Sequence, residues 1–192
     1  MPKLIVVNII SLDGFYEGPG KDVMALPFHE AFDEYNAARL RAADTLLLGR
    51  DTYEGFKTYW PPVADDPSAP AVEREISRLN NAIDKVVISD TLIPEQTAPW
   101  HNTEIVERAA AHTRITELKK TPGKGIVMFG SRTLWHDLLS AGLVDELHIM
   151  IGPSLLGGGT PLFSGPSPVR LRLLDSEPLP GRHLVLARYT PA

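Results

Sequence analysis

"GIVMFGSRTLWHDLLSAGLVDELHIMIGP", Gly125 to Pro153, holds two apolar β-rich runs separated by one amphipathic stretch. Ile126–Phe129 has no polar position in alternation, the pattern of a strand buried on both faces. Gly130 and Ser131 end that run, and Arg132–Ala141 then takes helical spacing. A long strand is expected at Glu146–Ile151. Strand, helix and strand in succession point to an α/β sheet with helices packed on it.

The same alternation extends toward the N-terminus. Leu4–Ile10 reads as a central buried strand, followed by the glycine-rich loop "SLDGFYEGPGKD". A helix is expected from about Pro27, which suits a first turn, to Ala43. Thr45–Leu48 is the next strand and Asp51–Lys57 the next helix. "WPPVADDPSAPA" (Trp60–Ala71), with its four prolines, reads as a loop. Helix Val72–Ala82 leads to strand Lys85–Ser89, then a short strand at Glu104–Val106 and a helix at Thr113–Lys119. The last third shows no helical pattern and is expected to close the sheet with antiparallel strands. No internal repeat or linker interrupts the chain, so residues 1–192 are read as one domain.

Composition narrows the function classes. Of 192 residues, 43% are hydrophobic and 22% charged, which is ordinary globular usage. The formal net charge of -5 with no basic stripe argues against nucleic-acid binding. Cysteine is absent, which excludes disulfides, thiolate catalysis and zinc–thiolate sites. No apolar run reaches membrane-spanning length, and "MPKLIVVNII" is too short for a signal core. A soluble cytoplasmic protein acting on a small molecule is the expectation. The histidines show no ligand spacing, so no metal is expected.

Three strand-end turns share one character. Gly49 and Arg50 lead from a strand into a helix in "LLLGRDTYE"; Ser89 and Asp90 leave the next strand in "VVISDT"; Gly130 and Ser131 open the helix in "IVMFGSRTLW". In an open α/β sheet, ligands lie outside the carboxyl ends of the strands. Two helix N-termini entered through glycine offer free N–H groups to two phosphates of a dinucleotide. Arg50 adds a charge-assisted donor, and Thr52, Ser131 and Thr133 neutral ones. The alternative is that each glycine merely turns the chain and each hydroxyl caps a helix. The G-x-G-x-x-G fingerprint is missing after the first strand, which argues against an ordinary Rossmann domain.

"SLDG", "GRDTYE", "VVISDT" and "FGSRTLWHDLLSAGLVDELHIMIGPSLLGGGTPLF" together resemble the dihydrofolate reductase fold. They are most similar to the reductase domain of the bifunctional riboflavin-biosynthesis deaminase-reductase and its stand-alone relatives. The resemblance spans nearly the whole chain, and "GLVDEL" followed by "P-x-LLGGG-x-PLF" is its most specific part. It implies a three-layer α/β domain on a central mixed, mostly parallel sheet with antiparallel C-terminal strands. It also implies a reductase using NADPH, with NADH as the alternative, and a homodimer; the apolar segment "LHIMIGPSLL" is the expected contact. By position, Gly49, Arg50 and Thr52 inherit a cofactor-phosphate role, and Ser89 and Asp90 the adenosine ribose. Gly130, Ser131, Arg132 and Thr133 inherit the second phosphate turn, and Ile9 and Ile10 the nicotinamide side.

Departures from that pattern are specific. The deaminase half needs an H-x-E…P-C-x-x-C zinc site, which a chain without cysteine lacks. The substrate stretch T-x-x-x-D-[DN]-P-x-L-T-x-R is broken, since Thr52 is followed by "YEGFKTYWPPVADDPSAP". Phe129 replaces the first glycine of the second turn, and Asp90 places a carboxylate where a 2′-phosphate is expected. For the proton that must accompany hydride, Asp13 of "SLDG" and Glu30 of "LPFHE" are the candidate acids, with His29 beside the latter. An Asp-Gly turn and a surface helix residue are the plain readings of those two acids. A binding protein that kept the cofactor turns but not the chemistry, or a dimeric interaction module, are the rival functions.

Overall fold

The computed structural model describes residues 1–164 and 169–192. Fifteen elements follow in chain order: β1 (Leu4–Ile10), β2 (Phe15–Glu17), α1 (Glu30–Arg41), β3 (Thr45–Gly49), α2 (Arg50–Val63), α3 (Ala71–Ala82), β4 (Asp84–Ile88), β5 (Thr103–Val106), α4 (Ala111–Lys120), β6 (Ile126–Phe129), α5 (Arg132–Ser140), β7 (Glu146–Ile151), β8 (Thr160–Pro161), β9 (Leu171–Pro178) and β10 (Val185–Pro191). Eight strands form one sheet in the order β5-β4-β3-β6-β1-β7-β10-β9. The first six are mutually parallel, while β10 runs antiparallel to both β7 and β9. Every parallel strand therefore ends at the same edge of the sheet.

The parity of β1 explains the layers. Val7 and Ile9 enter one core with Ala37 and Leu40 of α1, Tyr53 of α2 and Ile76 of α3. Leu4, Val6 and Ile10 enter the other with Ile115 of α4 and Trp135 and Leu138 of α5. A strand covered on both faces must be apolar on both, which is why β1, β3 and β6 are mainly apolar, with Asn8 the polar residue inside β1. The mixed, mostly parallel sheet and its antiparallel C-terminal strands are as expected.

Local bounds differ where tertiary contacts intervene. The helix expected from Pro27 begins at Glu30, because His29 caps it: its Nδ1 accepts from the Ala31 N–H at 3.4 Å. Pro27 instead fills the space beside Gly152, where a Cβ would come within 2.0 Å of its Cγ. Helix α2 runs on to Val63 through Pro61 and Pro62, so the first part of "WPPVADDPSAPA" is helical rather than loop. Proline strips N–H groups from that last turn, but α3 satisfies the exposed carbonyls: Ser77 donates to Trp60 O at 2.5 Å and Asn81 to Pro61 O at 3.4 Å. The loop after β1 contains the strand β2, which pairs with β8 in a separate two-stranded ribbon. Finally, "LHIMI" is not surface: β7 lies between β1 and β10, and Leu147 and Met150 are fully buried.

Candidate active site

The turns after β3 and β6 meet at the carboxyl edge of the sheet. Ser131 Oγ accepts from the Gly49 N–H at 2.9 Å, and Thr52 Oγ1 accepts from the Ser131 N–H at 3.1 Å. These reciprocal bonds clasp the N-termini of α2 and α5 together, so two positive dipole ends lie side by side at the carboxyl edge of the sheet. Ser131 adopts a left-handed backbone (φ 54°, ψ 45°), which is unfavourable for serine and is held by that clasp. Gly130 is needed for space. A Cβ at Gly130 would lie 3.1 Å from the Tyr16 hydroxyl and 3.3 Å from Thr52 Oγ1, and Gly130 itself sits at φ +56°. The turn is thus a cradle of amide and hydroxyl groups that any side chain at Gly130 would fill. That donor set fits the diphosphate of a dinucleotide.

Arg50 extends from the clasp to the third turn, where its Nη1 donates to Thr91 Oγ1. It has no carboxylate partner among the described residues. Ser89 Oγ accepts from the Thr91 and Leu92 N–H groups at 3.2 and 2.9 Å, so it caps its own turn. Asp90 is paired rather than free: it accepts from the Arg108 N–H at 2.8 Å and lies 3.5 Å from the Arg108 Nε. Arg108, which follows β5, is a cation that the motif reading missed, because nothing in its local sequence marks it. Arg132, expected at the phosphate turn, is held elsewhere. Its Nε donates to the carbonyls of Pro161 and Leu162 at 2.8 and 3.0 Å, and its Nη2 to Ser164. Thr133 is exposed on the first turn of α5. Ile9 and Ile10 close β1 on opposite faces, one in each core. Beside them Asn8, 3% exposed, has both side-chain amide atoms without a partner among the described residues.

The expected acids fare differently. Asp13 is a clamp: its carboxylate accepts from Ser11 Oγ at 2.6 Å, Gly157 N–H at 2.8 Å and Leu156 N–H at 3.1 Å. The Ser11 bond, then that of Gly157, holds its pKa below the usual carboxylate range, the wrong direction for a proton donor at neutral pH. Glu30 is exposed at the first residue of α1. One turn further on, Asp33 is half-buried against α3. Burial, reinforced by the charges of Glu73 and Glu30, pushes it up to about 6. No side-chain hydrogen bond anchors its carboxyl among the described residues. Tyr59 of α2 donates to the neighbouring Glu73 at 3.0 Å, so α1, α2 and α3 converge there. The start of α1 lies at the carboxyl edge of the sheet, because the helix runs back from β1 to the start of β3.

Helix N-termini clasped at the carboxyl ends of a mixed sheet define an α/β protein of the dihydrofolate reductase type. The chain belongs to the RibD C-terminal domain family, whose profile matches residues 2–185. It is 32% identical over 164 residues to the uncharacterized protein YyaP of Bacillus subtilis, covering 84% of this chain and 80% of YyaP. A putative riboflavin biosynthesis protein from Shewanella superposes with a TM-score of 0.69 at 20% identity, covering 99% of both chains. Dihydrofolate reductase from Enterococcus faecalis, solved with NADP(H), superposes with a TM-score of 0.61 at 16% identity, covering 98% of this chain and 96% of that one. The chain therefore has a reductase-type fold.

Proposed function

We propose that the protein is an NAD(P)H-dependent reductase of a small heterocyclic or carbonyl substrate. The observation that carries this reading is the Gly49–Ser131–Thr52 clasp, which brings two helix N-termini and Arg50 together at the carboxyl edge of the sheet. When bound, the reduced dinucleotide supplies a hydride. The protein's own part is to hold the phosphates by N–H groups and Arg50, and to hold a proton on Asp33 for the acceptor's heteroatom. Family membership and the E. faecalis reductase's cofactor support the reading. The broken substrate stretch after Thr52 favours an acceptor other than the ribose-phosphate precursor of riboflavin. NADPH is the proposed preference, since Arg50 and Arg108 together outweigh the single charge of Asp90.

Fluorescence titration with NADPH and NADH, followed by cofactor oxidation against a panel of imines, ketones and pterins, tests this. Binding without oxidation of any acceptor would favour a dinucleotide-binding protein instead. Arg50→Ala is expected to weaken both cofactors about 10- to 100-fold through loss of a charge-assisted bond. The deficit should narrow at high salt, which screens the wild-type contact. Unchanged dissociation constants in the variant would remove Arg50 from the site.

We further infer a homodimer formed by β9 rather than β7. β9 is an edge strand of eight residues, with Leu173 50% and Leu174 42% exposed on its two faces. An edge of this length, with two exposed leucines and a free row of backbone groups, invites pairing with a second copy. Light scattering at micromolar concentration is expected to give twice the chain mass of 21.1 kDa. A monomer mass there would defeat the assignment.

A further inference from the structure

The amino edge of the sheet, opposite the clasped turns, holds a cavity of about 290 Å³. Lys3 enters β1 there, Gly125 and Ile126 open β6, and Ala42 and Ala43 follow the last turn of α1. Ile5 and Val127, paired in the β1–β6 register, give it an apolar floor. Three cationic side chains, Lys3, Arg39 and Lys124, line the cavity, and among the described residues no carboxylate does. That gathers positive charge at one place in a chain whose net charge is -5.

The carboxylates nearby are already engaged. Glu146 takes Lys3 Nζ at 2.6 Å and His148 Nε2 at 2.8 Å, and Asp44 accepts from the Lys124 backbone N–H at 2.7 Å. The Nε of Arg39 is buried without an acceptor among the described residues. A guanidinium carries five donors and no acceptor, so a desolvated, unmatched Nε is costly. Its place is nonetheless fixed, because the guanidinium lies over the Tyr35 ring, 5.3 Å from the centroid. Tyr35 is anchored to β7 in turn. The Glu146 carboxylate accepts from His148 Nε2–H, which leaves Nδ1 to accept from the Tyr35 hydroxyl at 2.8 Å. A cation held in place with an open donor loses little freedom when an anion arrives.

We propose that this cavity is a second ligand site, separate from the cofactor turns, for a small organic carboxylate. The planar fork of Arg39 matches a carboxylate, and the exposed Lys3 and Lys124 add attraction at the rim. Ile5, Val127 and the two alanines receive an apolar body. At roughly 30 Å³ for each non-hydrogen atom, the volume admits a ligand of about ten such atoms. The site stands independently of the reductase reading.

Benzoate, which falls within that size, is the probe, and benzamide is its uncharged counterpart. In a methyl-resolved NMR titration of the full chain, benzoate should shift Ile5, Ala42, Ala43 and Val127 in one saturable step, and benzamide should not. Arg39→Met keeps an apolar stem over Tyr35 and removes the fork, so benzoate affinity should fall about 10- to 100-fold. Lys124→Met, at an exposed position, should weaken it about 2- to 5-fold, and added salt should weaken the wild type. Should Arg39→Met fold poorly, Lys124→Met and the benzamide comparison carry the same decision. Equal binding of benzamide, or unchanged affinity in the folded variants, would overturn the proposal. So would shifts centred on the Gly49 and Gly130 turns, or no saturable shift by about 10 mM benzoate. Inorganic phosphate that moves the same methyls at lower concentration than benzoate also overturns it, because the apolar body would then contribute nothing.

Discussion

Asp33→Asn is expected to lower cofactor oxidation by about 10²- to 10⁴-fold while making the protein more stable at neutral pH. The two effects share one cause. Burial and the negative neighbours Glu73 and Glu30 raise the Asp33 carboxyl from 3.8 to about 6. A carboxyl raised on folding binds its proton more tightly in the native state than in the unfolded chain. Stability is therefore greatest below the unfolded pKa and falls as pH rises toward the folded one, between 3.8 and about 6. At pH 7 the folded protein carries the full cost of an ionised carboxylate in an acidic, half-buried place. Asparagine removes that cost, about 1 kcal/mol after allowance for solvent screening. The wild-type rate should also fall as pH rises through about 6, because the donor must be protonated. Denaturant curves at pH 4 and pH 7, with steady-state rates across the same range, check both halves. A variant with undiminished turnover, or a pH-independent stability difference, would remove Asp33 from the chemistry.

Gly159→Ala should have the second largest effect. Its backbone is at φ +129°, and an added Cβ would stand 2.1 Å from the Glu17 carbonyl oxygen and 3.0 Å from the Gly18 backbone. Neither is a flexible side chain, so β2 and β8 must part, at a cost of about 3–5 kcal/mol. Hydrogen exchange at β2 and β8 should accelerate sharply. The adjacent glycines give an internal control. Gly158 would meet only Pro19 Cγ, at 3.9 Å, and Gly157 meets nothing within 4 Å at φ +68°. Gly158→Ala should be close to neutral, and Gly157→Ala should lose about 1 kcal/mol to backbone strain alone. Equal losses at all three positions would show that the ribbon contact does not decide the requirement.

The three glycines show how far local sequence reaches. "LLGGG" marks a family resemblance and a turn, but only the approach of β2 from 140 residues away distinguishes Gly159 from Gly157. The same holds for the acids. "SLDG" and "LPFHE" drew attention to Asp13 and Glu30, whereas the carboxyl that burial and the charge of Glu73 push upward is Asp33. Arg108 lies in a stretch with no motif at all.

The sequence by itself determined the alternation of strands and helices, since apolar runs and 3.6-residue spacing are local consequences of which faces are buried. β6 and β7 were legible to the residue, and the glycine-entered turns at Gly49 and Gly130 were visible as places with free amide donors. What tertiary structure alone decided was which groups those turns face. Ser131 reaches Gly49, Arg108 pairs with Asp90, and Arg132 is drawn off to β8. It also decided that α2 runs through Pro61 and Pro62, because α3 supplies the hydrogen bonds that their carbonyl side requires. Helix and strand formation depend on neighbours within a few residues of chain. A carboxyl's pKa or a guanidinium's partner depends on distances between groups that only the folded chain brings together.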